Sequence, residues 1–261
     1  MKNNFKFTIF VLSILVFASC SNDSNQSSAP LNSIANTIKK ITETTYSTTP
    51  SSYSIEFEYQ NGNLKRIFSG TNSAEYQYNG NKITSVDYYQ NSVLNNSQAI
   101  TYSGDFLTMI QINPNERIRL DYSGNNLYTS TYESLINNSW GTANIESFTF
   151  DNSGNQTERF FSYTYQGSVQ SFKSSYVYDN KNNPFKMMNP YLKHLLEPNS
   201  FINKSQNNVT QSYSYPDVSS TTATLSDNYE IVYNSNNYPT NIKCRRAVNN
   251  ELKSEITIEY N

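Results

Sequence analysis

Thiol and imidazole chemistry is almost absent from this chain: among 261 residues there are two cysteines, Cys20 and Cys244, and one histidine, His194. A lone histidine rules out the conventional His/Cys zinc sets and the Ser/His or Cys/His nucleophile arrangements. Two distant cysteines rule out a disulfide framework. Charge is scarce as well, at 15% of residues, with 19 basic side chains against 21 acidic ones. The densest basic group, Lys243 with Arg245 and Arg246, reads as a solvated strand end, so nucleic acid has no electrostatic footing here. Long apolar runs are missing too. The longest, Phe7 to Phe17, is about 11 residues where a membrane-spanning helix needs ~20. Carboxylates could still carry chemistry, but Glu56 and Glu58 alternate with Ile55 and Phe57 and read as the wet face of a strand rather than an acid/base pair. The Asp151-Asn152-Ser153-Gly154-Asn155 stretch lacks the alternating acids and closing glutamate of a calcium loop and reads as a turn. The expectation is a non-enzyme with no metal and no cofactor.

The chain starts with Lys2 and Lys6, continues into the apolar Phe7–Phe17 stretch, and then meets Phe17-Ala18-Ser19-Cys20 and a polar tract. This is the layout of a cleaved export signal that ends in a lipobox. Residues 1–19 are read as the lipoprotein signal peptide and Cys20 as the acylated mature N-terminus. One acyl chain anchors only marginally, so firm attachment relies on the several chains that such a cysteine carries. In the lipoproteins this motif resembles, an aspartate at +2 holds the protein at the inner membrane; Ser21 stands there instead, and the resemblance implies the outer membrane as the expected location. Removing residues 1–19 takes away two lysines and no acid, leaving 17 basic against 21 acidic residues. Residues 20–35, rich in Ser and Asn, read as a flexible tether.

From residue 36 onward one pattern recurs. Apolar or aromatic residues alternate with polar ones, reach a Tyr or Phe, and meet a Gly/Asn turn. Examples are Ile55-x-Phe57-x-Tyr59 before Asn61-Gly62-Asn63, Tyr76-x-Tyr78 before Asn79-Gly80-Asn81, and Tyr229-x-Ile231-x-Tyr233 before Asn234-Ser235-Asn236-Asn237. Period-two alternation marks strands with one buried and one wet face, the antiparallel condition. Five of the eight glycines, Gly62, Gly80, Gly104, Gly124 and Gly154, share one turn slot. In two late units the slot passes to Asn182 or Asn183 and to Asn236 or Asn237, asparagine being the next best residue for a left-handed turn. After the turns, Leu64 and Ile67, Ile83 and Val86, Leu107 and Ile110, and Phe185 and Met188 stand three apart, which predicts a bulge that absorbs one residue.

The aromatic anchors Tyr59, Tyr78, Tyr102, Tyr122, Phe150, Tyr178, Tyr233 and Tyr260 are 19 to 28 residues apart except for one gap of 55. Inside that gap Asn189-Pro190, the following Tyr191, Leu192, Leu195 and Leu196, and Pro198 predict a two-turn helix over about 190–197. Residues 37–47 are read as the first strand.

The unit FTFDNSGNQ, with YVYDNKNNPF and IVYNSNNYPTNI, resembles the YD repeats of the Rhs family. Lipobox, tether, hairpins and a leucine-bearing insertion after Asn-Pro-Phe together resemble the small YD-repeat-like lipoproteins of Bacteroidota over roughly residues 36–261. The resemblance implies a fold and an envelope location and no activity. This chain is too short to enclose a toxin as the long Rhs arrays do.

The expected fold is all-β: a twisted antiparallel meander of about twelve to sixteen strands, curled or rolled, with one short helical insertion. Its apolar face is buried by rolling into a barrel or half-pipe, by forming two layers, or by holding something in a groove. A closed face suits a non-catalytic binding or structural module, and an open aromatic-lined groove suits a lipid or glycan carrier. Partners are then the membrane through Cys20 and a glycan, a lipid or an envelope protein. Most tyrosines read as core filling, Cys244 as a small inward hydrophobe, and Trp140, set among asparagines, as the side chain best placed for an exposed ligand contact.

Overall fold

The computed structural model describes residues 36–261 apart from Asn125, Pro190 and residues 196–204. The signal at 1–19, Cys20 and the tether at 20–35 lie outside the described residues. Sixteen strands follow one another: β1 (Ile38–Thr45), β2 (Ser51–Gln60), β3 (Asn63–Ser69), β4 (Asn72–Asn79), β5 (Lys82–Gln90), β6 (Val93–Ser103), β7 (Phe106–Asn113) and β8 (Glu116–Ser123). They continue as β9 (Asn126–Ile136), β10 (Ser139–Phe150), β11 (Gln156–Tyr165), β12 (Ser168–Tyr178), β13 (Val209–Ser214), β14 (Thr224–Tyr233), β15 (Pro239–Arg246) and β16 (Leu252–Tyr260). Each strand pairs antiparallel with the next, and β16 returns to β1 with Ile258 opposite Ile41, so the sheet closes into a barrel. Closure removes both sheet edges. Of the shapes left open by the sequence, this is the rolled one rather than an open curled sheet.

The five turn glycines all have positive φ. Gly80, at φ 62°, is typical, with open space where a Cβ would sit, so its constraint is the backbone and not crowding. Asn237 at φ 61° takes the slot in its unit, but Asn182 and Asn183 do not, because the chain leaves the sheet there to begin the insertion. The bulges sit where the spacing of three puts them. Tyr78 pairs with Ile83 and Gln77 with Ser85, leaving Thr84 extra, and Thr108 is extra in the same way between Leu107 and Met109. The bulged threonine turns its hydroxyl back on the partner strand: Thr84 donates to the Gln77 carbonyl (3.3 Å) and Thr157 to that of Thr149 (3.2 Å). Phe185 and Met188 belong to no bulge. They are buried in turns of the insertion.

The anchor tyrosines tie successive hairpins together. Tyr78 donates its hydroxyl to the Leu64 carbonyl (2.8 Å), Tyr102 to Ile83 (2.9 Å), Tyr122 to Leu107 (2.9 Å), Tyr178 to Gln156 (2.6 Å) and Tyr260 to Pro239 (2.8 Å). In each case the acceptor is the residue paired with the previous anchor. A buried ring thus keeps its polar end satisfied while it fills the interior.

The turns after even-numbered strands gather at one end of the barrel, and the described residues of the segment between β12 and β13 pack across that end. Asn189 donates from Nδ2 to the Asn81 carbonyl at the β4–β5 turn (2.8 Å), and Asn182 from Nδ2 to the Asn236 carbonyl at the β14–β15 turn (3.0 Å). Asn155 of the β10–β11 turn donates to Asn207 Oδ1 (3.1 Å) and accepts from the backbone of Gln206 and Asn207. Tyr191 packs edge-on against Tyr102 with ring centroids 5.0 Å apart, while Phe185, Met188, Leu192 and Leu195 join the core. Of the two-turn helix expected over 190–197, the described residues carry one helical turn, α1 (Leu192–Leu195), and 190, 196 and 197 lie outside them. Asn189 caps it as foreseen, its Oδ1 accepting from Tyr191 N–H (2.9 Å). The segment's order comes from its bonds to the turns around it and from Leu192 and Leu195, which a single turn suffices to aim inward.

Candidate functional site

Strand parity divides the barrel into an inner and an outer wall, and the outer wall is mostly polar, with single exposed apolar side chains such as Val177 and Val232 set among charged and hydroxyl groups. Glu56 and Glu58 point outward as the alternation implied, Glu56 toward Lys40 (3.5 Å) and Glu58 toward Lys65 (3.8 Å). Arg66 faces Glu75 (3.8 Å), Arg245 faces Glu230 (2.9 Å) and Lys173 faces Glu158 (3.0 Å). Glu133 is buried on this wall between Arg117 (2.6 Å) and Arg119 (3.5 Å). Trp140 lies over that pair, with the Arg117 guanidinium 4.1 Å from its ring centroid, so the indole is half-buried in a cation–π contact on the outside of the barrel. A strand barrel that crosses a bilayer carries an outward apolar band ~25 Å tall. Here ion pairs and hydroxyl side chains interrupt the outward positions, leaving apolar residues such as Val177 and Val232 isolated rather than joined in a band.

The inner wall changes character along the barrel axis. Toward the sealed end it is apolar: Leu64, Ile83, Leu107 and Leu127 are each at most 1% exposed. Toward the other end, the mouth formed by turns after odd-numbered strands, polar side chains take over. Tyr53 donates to the buried Glu43 carboxylate. Lys253 Nζ reaches both oxygens of Asp227 (2.8 and 2.9 Å), and Arg159 pairs with Glu146. Gln98 accepts from Tyr88 (3.2 Å), and Ser174, Ser212 and Ser214 share this wall. The β11–β12 hairpin adds an aromatic group: Tyr163 and Phe172 lie with centroids 6.1 Å apart and planes 12° apart, and Phe161 lies 5.4 Å from Tyr163.

Cys244 faces inward beside Tyr229 and is 5% exposed, with burial pushing its thiol up to about 11, so it packs as an unreactive hydrophobe. His194 falls within α1, and its side chain lies outside the described part. The Asp151 carboxylate closes its own turn by accepting from the backbone of Ser153 (2.8 Å) and Asn155 (2.9 Å). No group of three or more metal-ligating side chains occurs among the described residues.

The inward acids and the aromatic group went unnoticed in the sequence. Glu43 shares parity with Ile41 and Asp227 with Tyr229, which was a usable signal. Lys253 reaches the interior through a bulge between Leu252 and Ser254, where alternation gives no guide.

Burial raises the hydroxyl pKa of many inner tyrosines, among them Tyr76, Tyr88, Tyr102, Tyr229 and Tyr260. A group whose folded value lies above its unfolded value near about 10 contributes fully below that pH and less as pH rises past it. Urea midpoints should therefore stay level up to about pH 10 and fall beyond it, with the ionisation of these buried rings accompanying unfolding rather than preceding it. Free ionisation of these tyrosines in the intact fold would contradict their burial.

No protein-family model matches this chain, and neither does any curated protein. Among solved structures, a porin-like protein from Bacteroides vulgatus is similar over 86% of this chain and 98% of its own, with a TM-score of 0.51 at 14% sequence identity. A porin-like protein from Bacteroides uniformis aligns over the same shares with a TM-score of 0.35 at 9% identity. The first likeness shows a shared all-β fold. The second is too loose to add to it.

Proposed function

We propose that this chain is a non-catalytic binding module of the cell envelope, hung from the outer membrane by lipid on Cys20, with its barrel standing in water and its mouth receiving a small polar ligand. One observation carries the reading: an ion-paired outer wall surrounds an interior that is sealed and apolar at one end and polar at the other. A ligand can enter only where serines, amides and charged pairs line the way. The lipobox, the tether and the YD-like hairpins support the anchored location. A lipid-carrier role is disfavoured because the protein's own side chains and the sealing segment occupy the apolar half. Catalysis is disfavoured by the lone histidine and the buried, lone thiol.

Native mass spectrometry of the mature chain isolated from envelopes tests this. A polar adduct should accompany the parent and be lost from Ser174→Trp, which places an indole in the mouth. An acyl-lipid adduct, or a polar one indifferent to that substitution, would refute the mouth as the site.

A further inference from the structure

We infer that the inner face of the β11–β12 hairpin is a stacking platform for the pyranose rings of a neutral glycan. This rests on the mouth being the binding site and names the ligand class.

The hairpin rises above the rim on one side. β12 has 11 residues and its neighbour β13 has 6, so pairing between them stops at Ser174 with Ser214 and the upper part of β12 has no ladder partner on that side. On the other side, the β10 ladder with β11 ends at Asn144 opposite Tyr163. The free tip turns Tyr163, Tyr165 and Phe172 toward the mouth, with Phe172 at 53% and Tyr165 at 59% exposure. Phe161 and Phe172 are directly paired across the two strands.

Tyr163 and Phe172 stack nearly parallel with Phe161 beside Tyr163, and Phe172 is 53% exposed, so the tip offers aromatic surface to the mouth. Residues with hydrogen-bonding side chains border that surface: Asn144 and Gln170 stand on the two strands opposite Tyr163, and Glu146, opposite Phe161, holds Arg159. A pyranose has this same division, a face of C–H bonds that stacks on an aromatic ring and a perimeter of hydroxyls that seek amides and charged groups. An acyl chain would leave the polar border unmatched. A nucleotide or an acidic sugar would bring negative charge to a wall where Glu43 and Glu116 face inward and the Arg159 and Lys253 cations are already paired with Glu146 and Asp227. Neutral sugars meet both conditions.

Isothermal titration of the mature chain against a panel of neutral glucose and N-acetylglucosamine oligosaccharides, uronic-acid oligosaccharides and phospholipid vesicles tests this. At least one neutral oligosaccharide should bind. Tyr163→Ala and Phe172→Ala should each weaken it by at least about tenfold, while Phe172→Trp, which keeps a stacking ring, should hold affinity within about threefold. Phe172 is half in solvent, so unchanged thermal unfolding of these variants is expected and keeps the comparison clean. Equal affinity in Phe172→Ala, binding confined to the uronic-acid probes or vesicles, or no oligosaccharide binding at all overturns the platform. If a polar adduct sensitive to Ser174→Trp persists in that case, the mouth remains a binding site for another solute. If none persists, both readings fall.

Discussion

Replacing Leu192 with aspartate should detach the sealing segment and cost the fold upwards of about 3 kcal/mol. The side chain is 1% exposed and sits with Leu195, Phe185 and Met188 against the apolar half of the barrel. A carboxylate there must ionise in an apolar surround, stay protonated at a cost, or pull its segment out. Since even Leu→Ala at a buried site typically costs about 2–5 kcal/mol and whole domains hold only about 5–15, the loss should be plain in a urea titration. Leu192→Met, which conserves volume, should stay within about 1.5 kcal/mol. The same aspartate variant should bind a hydrophobic dye under native conditions, because lifting the segment bares Leu64, Ile83 and Leu107. An unshifted midpoint together with no dye binding would mean that the segment is not packed into that end.

The expected loss is large because the segment does more than cover an opening. It ties together turns from distant parts of the ring, Asn81 on one side and Asn236 on another, so its release also leaves main-chain carbonyls without their donors. Tyr233 shows the same coupling. Its hydroxyl meets the Asp179 carboxylate at the start of the segment instead of a main-chain carbonyl of the preceding hairpin.

Local features were well written in the sequence. Turn glycines fixed where the chain reverses, alternation fixed which side chains share a wall, and the spacing of Leu107 and Ile110 was enough to place the bulge at Thr108. These are short-range constraints of turn φ and strand parity. Closure was not legible, because it depends on β1 meeting β16, Ile41 against Ile258, and no local pattern records the number of strands needed to bring a twisted sheet round on itself. The mouth was hidden for a different reason. Glu43, Asp227 and Phe172 look ordinary one at a time, and only the ring of strands puts them around one opening. Trp140 stood out by its rarity, yet its place is over Arg117 on the outer wall.

That outer wall makes the central claim open to a direct test, and the expected effect is close to all-or-none. Charged pairs such as Arg66 with Glu75 and Arg117 with Glu133 stand where a bilayer-spanning barrel would meet hydrocarbon, and a single Arg or Lys at the midplane of such a barrel costs about 2–4 kcal/mol. Membrane attachment should therefore depend wholly on the lipid at Cys20. The decisive measurement is fractionation of the chain exported from Ser21 onward behind an ordinary cleavable signal, compared with the parent. The parent should sediment with membranes and label with fatty acid, and the Cys20-free chain should appear unlabelled, folded and monomeric in the soluble fraction without detergent. Retention of that chain in alkali-washed membranes would show that the strands themselves enter the bilayer and would contradict the account.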